Sequence, residues 1–127
     1  MADATRDLPR AIDLGPAPFL PVELSNNKGP GVSFDGRLLH EGTTQNRART
    51  KTRWGEIRLW ETPAGAWIAE DVACSEDDGE VDITKVGVFR DPIGEDRHFL
   101  VMDFFGWNHL ARAMASKLKW NLVMRVE

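Results

Sequence analysis

WGEIRLWETPAGAWIAEDVA, residues 54–73, decides the fold. From Trp54 to Trp60 the chain alternates, with Trp54, Glu56, Arg58 and Trp60 on one face of a strand and Ile57 and Leu59 on the other. In ETPAGAW, Pro63 and Gly65 stand at turn-compatible positions, and AWIAEDVA reads as the returning strand.

Towards the C-terminus the same punctuation continues. CSEDDGEVD (74–82) is a solvated acidic loop. ITKVGVFR (83–90) and RHFLVMDF (97–104) read as two more strands, joined by the turn DPIGED with Pro92 and Gly94. Trp107, Leu110, Ala111, Met114 and Leu118 recur at helical spacing and predict a helix over 107–119. Asp103 and Asn108 are the candidate caps, and Lys117 and Lys119 suit its C-terminal end. NLVMRV (121–126) reads as a short final strand.

Towards the N-terminus, GTTQN is a loop. In GVSFDGRLLHEG (31–42), Asp35-Gly36 between Val32–Phe34 and Arg37–Leu39 predicts a two-residue hairpin turn, because Asp and Gly tolerate the positive φ that such a turn needs. Five of the seven prolines fall within residues 1–30, so that stretch is neither a helix interior nor a central strand. It reads as an extended arm, tied to the body by Phe19 and Leu20. The expected fold class is therefore α+β: a curved antiparallel β-sheet built from consecutive hairpins, with one C-terminal amphipathic helix packed on one face. Residues 1–30 form the proline-rich arm and residues 31–127 a single α+β domain.

A chain of 127 residues is one domain by size and buries a core without staples. Cys74 is the lone cysteine, which excludes an intrachain disulfide and fits a reducing compartment. The N-terminus has no apolar signal-peptide region, and no apolar run approaches the roughly 18 residues of a membrane span. The expected location is cytoplasmic, with no membrane partner.

The net charge of −4 conceals strong segregation. Residues 47–60 carry five basic side chains and one acidic, whereas residues 61–82 carry eight acidic and none basic. Arg47, Arg49, Lys51 and Arg53 stand at every second position ahead of Trp54 and Trp60. Cations on one face of an extended ribbon can track phosphates, and tryptophans can stack unpaired bases. Four cations cannot continue the Ile57/Leu59 side into a core. The strand therefore either leaves the sheet before Arg53 or projects beyond its packed part. The same cations also serve as an edge that blocks aggregation.

Glu76, Asp77, Asp78, Glu80 and Asp82 do not match the spacing of a calcium loop. As a carboxylate cluster they can steer a basic partner. His40, His98 and His109 show no zinc-site spacing, so no metal and no cofactor is expected. No catalytic residue stands out. Cys74 lies among carboxylates that disfavour its thiolate, no serine sits in a nucleophile elbow, and there is no phosphate-binding glycine loop.

The expected function is a small non-enzymatic binding or regulatory domain with a macromolecular partner. In the first reading the partner is nucleic acid, held by Arg47, Arg49, Lys51 and Arg53 with Trp54 or Trp60. In the second it is a protein met by the acidic loop. The third is a small enzyme or enzyme subunit whose site assembles in space from histidines and carboxylates.

Overall fold

The computed structural model describes residues 17–91 and 94–127. Among these, five strands, β1 (Leu20–Leu24), β2 (Val32–Thr43), β3 (Arg53–Glu61), β4 (Trp67–Ser75) and β5 (Ile83–Phe89), precede two helices, α1 (Glu95–Phe105) and α2 (His109–Lys117). The strands form one sheet in sequence order, and every neighbouring pair is antiparallel. The fold is mixed α+β on an antiparallel sheet, as the patterning predicts.

The 54–73 stretch is the centre of the sheet. β3 and β4 pair along their whole length, from Arg53 opposite Ser75 to Glu61 opposite Trp67. The turn between them is closed by Gly65 N–H donating to the Thr62 carbonyl and Thr62 N–H to the Ala66 carbonyl, both at 2.9 Å.

Three local expectations are corrected. First, β2 runs unbroken through Asp35-Gly36, where a tight turn was expected. Residues 32–36 pair with β1 and residues 37–43 with β3, with a register shift between Leu38 and His40. The strand thus changes partner at this point instead of reversing. The glycine is needed for space: a Cβ at position 36 would lie 2.5 Å from the Phe34 ring and 3.2 Å from the Trp60 ring. Second, residues 97–104 are not a strand but belong to α1. A short apolar run does not reveal its period. Here Val101, Met102 and Phe105 all bury on one side at helical spacing. Third, NLVMRV forms no regular element.

The described part of the proline-rich arm enters the sheet as β1 on its outer edge, where Pro21 fits because edge strands need not donate on both sides. Residues 1–16 of that arm lie outside the described residues. At the β1–β2 turn, Asn27 N–H donates to the Thr84 carbonyl at 2.8 Å. Thr84 N–H returns a bond to Asn27 Oδ1 at 2.6 Å. The first hairpin therefore curls round and fastens onto the outer edge of β5.

The two faces of the sheet differ. On the helix face, Ile57, Leu59 and Ala69 meet Val101, Met102, Phe105, Ala111, Met114 and Ala115 in one buried cluster. The helices come close because position 87 has no side chain: a Cβ there would lie 2.9 Å from the Phe104 ring. Each fully buried aliphatic side chain in this layer contributes about 1.5–3 kcal/mol. On the opposite face, Trp60 (8% exposed) meets the Phe34 ring edge-on at a centroid distance of 5.8 Å. Beside them Arg58 gathers three carboxylates, with contacts to Glu41 and Glu56 at 2.6 Å and to Glu70 at 3.0 Å.

Candidate cationic cleft between β2 and α2

The β2–β3 connection explains the alternating cations. Asn46 accepts from Thr50 N–H at 2.9 Å through its side chain and from Arg49 N–H at 3.0 Å through its carbonyl. Its Nδ2 donates to Thr50 Oγ1 at 2.7 Å. Gln45 Oε1 accepts from Lys51 N–H at 3.1 Å, and its Nε2 donates to the Lys51 carbonyl at 3.0 Å. These amides clamp residues 45–51 into a tight loop, with Arg49 at φ 56°. The strand begins only at Arg53, so the cations are not a β-ribbon. Asn46 and Gln45 supply the local hydrogen bonds that compete with a sheet ladder.

The four cations are then distributed by environment. Arg47 and Arg49 lie exposed at the loop and form no ion pair among the described residues. Lys51 folds back, donating from Nζ to the Thr44 carbonyl at 2.7 Å. Arg53 faces the acidic loop, with a two-pronged contact to Glu80 at 2.7 and 3.1 Å and a further one to Asp77 at 3.1 Å. Glu80 is also hydrogen-bonded by the Ser75 hydroxyl, and Asp82 Oδ1 accepts from Ser75 N–H at 3.1 Å. Glu76, Asp78 and Asp82 form no ion pair among the described residues. The basic and acidic segments thus meet at one end of the sheet, and Arg53 is neutralised there.

Trp60 is buried and offers no ring face to a base. Trp54 is half-buried on the face away from the helices, and its indole N–H donates to Glu56 at 2.8 Å. Burial alone would raise the Glu56 carboxyl, but the Trp54 and Arg58 hydrogen bonds outweigh it and hold it below its usual range. Cys74, on the same face, is pushed up to about 11 by burial and then by Glu56 and Asp82, so it stays a thiol.

Lys51 turns towards a cleft of about 540 Å³ between β2 and α2. Residues 37–43 of β2 pair only with β3, because β1 takes residues 32–36. The outer side of this half-strand is where α2 lies. Asn108 fixes the helix start, its Oδ1 accepting from Ala111 N–H at 2.8 Å, which sets His109 at the first helical position. His40, Lys51, His109 and Lys117 line the cleft, with Leu110 at its floor. Glu41, its one acid, is engaged by Arg58. Burial lowers the His40 imidazole from its ordinary value, and Lys117 lowers it further, against a smaller opposite effect of Glu41. An anion in the cleft would reverse that shift.

Two of the three histidines therefore share one site. The third, His98, stacks on Trp120 at a centroid distance of 4.4 Å and lies parallel to Trp67 at 5.6 Å. No group of three or more His, Cys, Asp or Glu among the described residues is placed to hold a metal ion. The joining of His40 to His109 and Lys117 escapes sequence reasoning because His40 stands 69 and 77 residues before them, on a strand whose contact with their helix no local pattern encodes. The Arg58 cluster was half visible: alternation puts Glu56 beside Arg58, whereas Glu41 and Glu70 come from the flanking strands. Among known proteins, no family model, no curated protein and no solved structure matches this chain.

Proposed function

We propose that the chain is a non-enzymatic binding domain that holds a flexible nucleic acid along its β2 edge. Arg47 and Arg49 at the loop tip, together with Lys51, His40, His109 and Lys117 in the cleft, carry the contact. The carrying observation is the convergence of Lys51, Lys117, His40 and His109, from three separate chain segments, in one cleft. The acidic loop between β4 and β5 lies at the same end of the sheet, and Arg53 offsets part of its charge through Asp77 and Glu80. Arg53 takes no part because Asp77 and Glu80 engage it, and Trp60 takes none because it is buried. Binding through phosphates, without base stacking on Trp60, is sequence-tolerant.

The test is fluorescence anisotropy of a labelled single-stranded oligonucleotide in titrations at 50 and 200 mM KCl. Four neutralised phosphates on a single strand give log K against log salt a slope of about −3. The double variant R47E/K117E should weaken binding at least tenfold without changing thermal unfolding, since both side chains are exposed. Because burial and Lys117 disfavour the charged form of His40 in the free protein, and an anion favours it, binding takes up a proton. Affinity should rise as pH falls from about 7.5 to 5.5, and H40Q should flatten that dependence. No saturable binding at 50 mM KCl, or full affinity in the double variant, would refute the assignment.

A further inference from the structure

The edge of β2 is open beside the cleft. β1 covers residues 32–36 of β2 and stops, so among the described residues 37–43 have no strand on their outer side. β1 is antiparallel to β2, with Leu24 opposite Val32 and Leu20 opposite Gly36. Followed backwards from Leu20, the chain therefore heads along β2 towards Thr43. Phe19 keeps to this course, its ring lying under the Arg37 guanidinium at 4.4 Å. Arg37 stands opposite Glu61 and His40 opposite Leu59, so Phe19 and the cleft share the helix face of the sheet. Pro18 has no N–H to donate, which ends the ladder at Leu20 without turning the chain back, since the residue before a proline is held extended.

The sequence upstream has the matching charge. Residues 11–15 read AIDLG, and Asp13 is the one charged side chain between Ala11 and Pro18. An extended chain covers about 3.1 Å per residue, so Asp13, six residues before Phe19, falls about 19 Å on. Thr43, six residues past Arg37, lies about 20 Å along β2 at about 3.3 Å per residue. That is the level of the cleft, whose lining takes residues 40–44 from this part of the chain. There two lysines and two imidazoles face a single carboxylate, Glu41, which Arg58 already engages. The next charge upstream, Arg10, is three residues further on and falls past the end of β2 at Thr43.

We infer that residues 11–15 dock in the cleft of their own chain, with the Asp13 carboxylate among His40, Lys51, His109 and Lys117. The short tether to Phe19 holds that carboxylate at an effective concentration in the millimolar range, so even a weak contact is populated. The docked segment is an internal stand-in for a polyanion, which must displace it to bind. The docking needs the cleft alone, whereas its effect on nucleic acid rests on the function proposed above.

Paramagnetic broadening in the full chain tests the docking without nucleic acid. A spin label is placed on A11C, and Cys74 stays unlabelled at neutral pH because it is buried with its thiol pushed up to about 11. At low salt the label should strongly broaden the amides of His109 and Ala113 on α2. Adding D13K should reduce that broadening about twofold or more, as should about 0.5 M KCl, and D13K/K117E should recover part of it. Lys117 is exposed, and matching circular dichroism would verify the folds. Broadening that D13K leaves unchanged, or none in either chain, overturns the inference. In the oligonucleotide titration, D13N should bind about threefold more tightly than the wild type. Its affinity should also depend more steeply on pH, because His40 then has no carboxylate beside it before binding. Unchanged affinity in D13N overturns the displacement. If no variant binds the oligonucleotide while the broadening still responds to D13K, the nucleic-acid reading falls and the docking stands.

Discussion

The two faces of the sheet are stabilised by different physics. The helix face is built on a dry layer in which Ile57, Leu59, Val101 and Met102 are fully buried, with Arg97 over the Trp67 ring and the Asp71–Lys85 pair beside Phe104. The opposite face sets Trp60 and Phe34 beside one guanidinium shared by three carboxylates. The apolar layer itself tolerates acid and salt, because apolar burial has no titrating component. The second depends on protonation state, since Glu56 is held ionised by Trp54 and Arg58. One strand thus builds both kinds of interior, and alternation along β3 is the reason.

The comparison can be broken most strongly on the dry side. L59A removes a fully buried side chain from the centre of the layer and should cost about 2–5 kcal/mol in denaturant unfolding, with little dependence on pH. On the other face, R58M should cost about 2 kcal/mol at pH 7, because it leaves the half-buried Glu56 and the buried Glu70 without their cation. Unlike a packing defect, this deficit depends on pH. The Glu56 carboxyl is depressed in the folded state, so its contribution is present above its unfolded value and lost as pH falls through the folded one. The deficit of R58M should therefore shrink below about pH 4. Equal deficits at pH 7 and pH 3.5 would show the cluster to be mere packing. The smallest effect is chemical: Cys74, with its thiol pushed up to about 11, should react with a thiol reagent at pH 8 about a hundredfold more slowly than an unperturbed cysteine. R58M, by removing the nearest cation, should not speed it.

Much of the centre of this fold was legible in its residues. The Trp54–Ala73 hairpin, both faces of β3 and the Asn108 start of α2 follow from alternation, turn residues and capping alone. The failures have physical causes. Asp35-Gly36 imitates a turn, but its glycine serves two aromatic rings that come from different places in the chain. HFLVMDFF is too short and too apolar to display a period, and only the core it meets decides that it is a helix. The alternating cations imitate a strand, and Asn46 and Gln45 capture the backbone as a loop. Of the candidate site, Arg47, Arg49 and Lys51 stand out in the sequence. Lys117, His40 and His109 do not, because the cleft exists only once α2 lies along the edge of β2.

The pair of hydrogen bonds between Asn27 and Thr84 bears on the order in which the molecule assembles. Every strand pairing in this sheet joins neighbours in sequence, which keeps loop-closure costs low and lets the meander zip outward from β3 and β4. The Asn27–Thr84 clasp spans 57 residues and depends on both outer strands being in place. It should therefore be the last join to form and the first to open. The Thr84 amide should therefore exchange with solvent well ahead of those of Leu59 and Ala69, and the chain has a loose seam along β5 beside an otherwise tightly laced sheet.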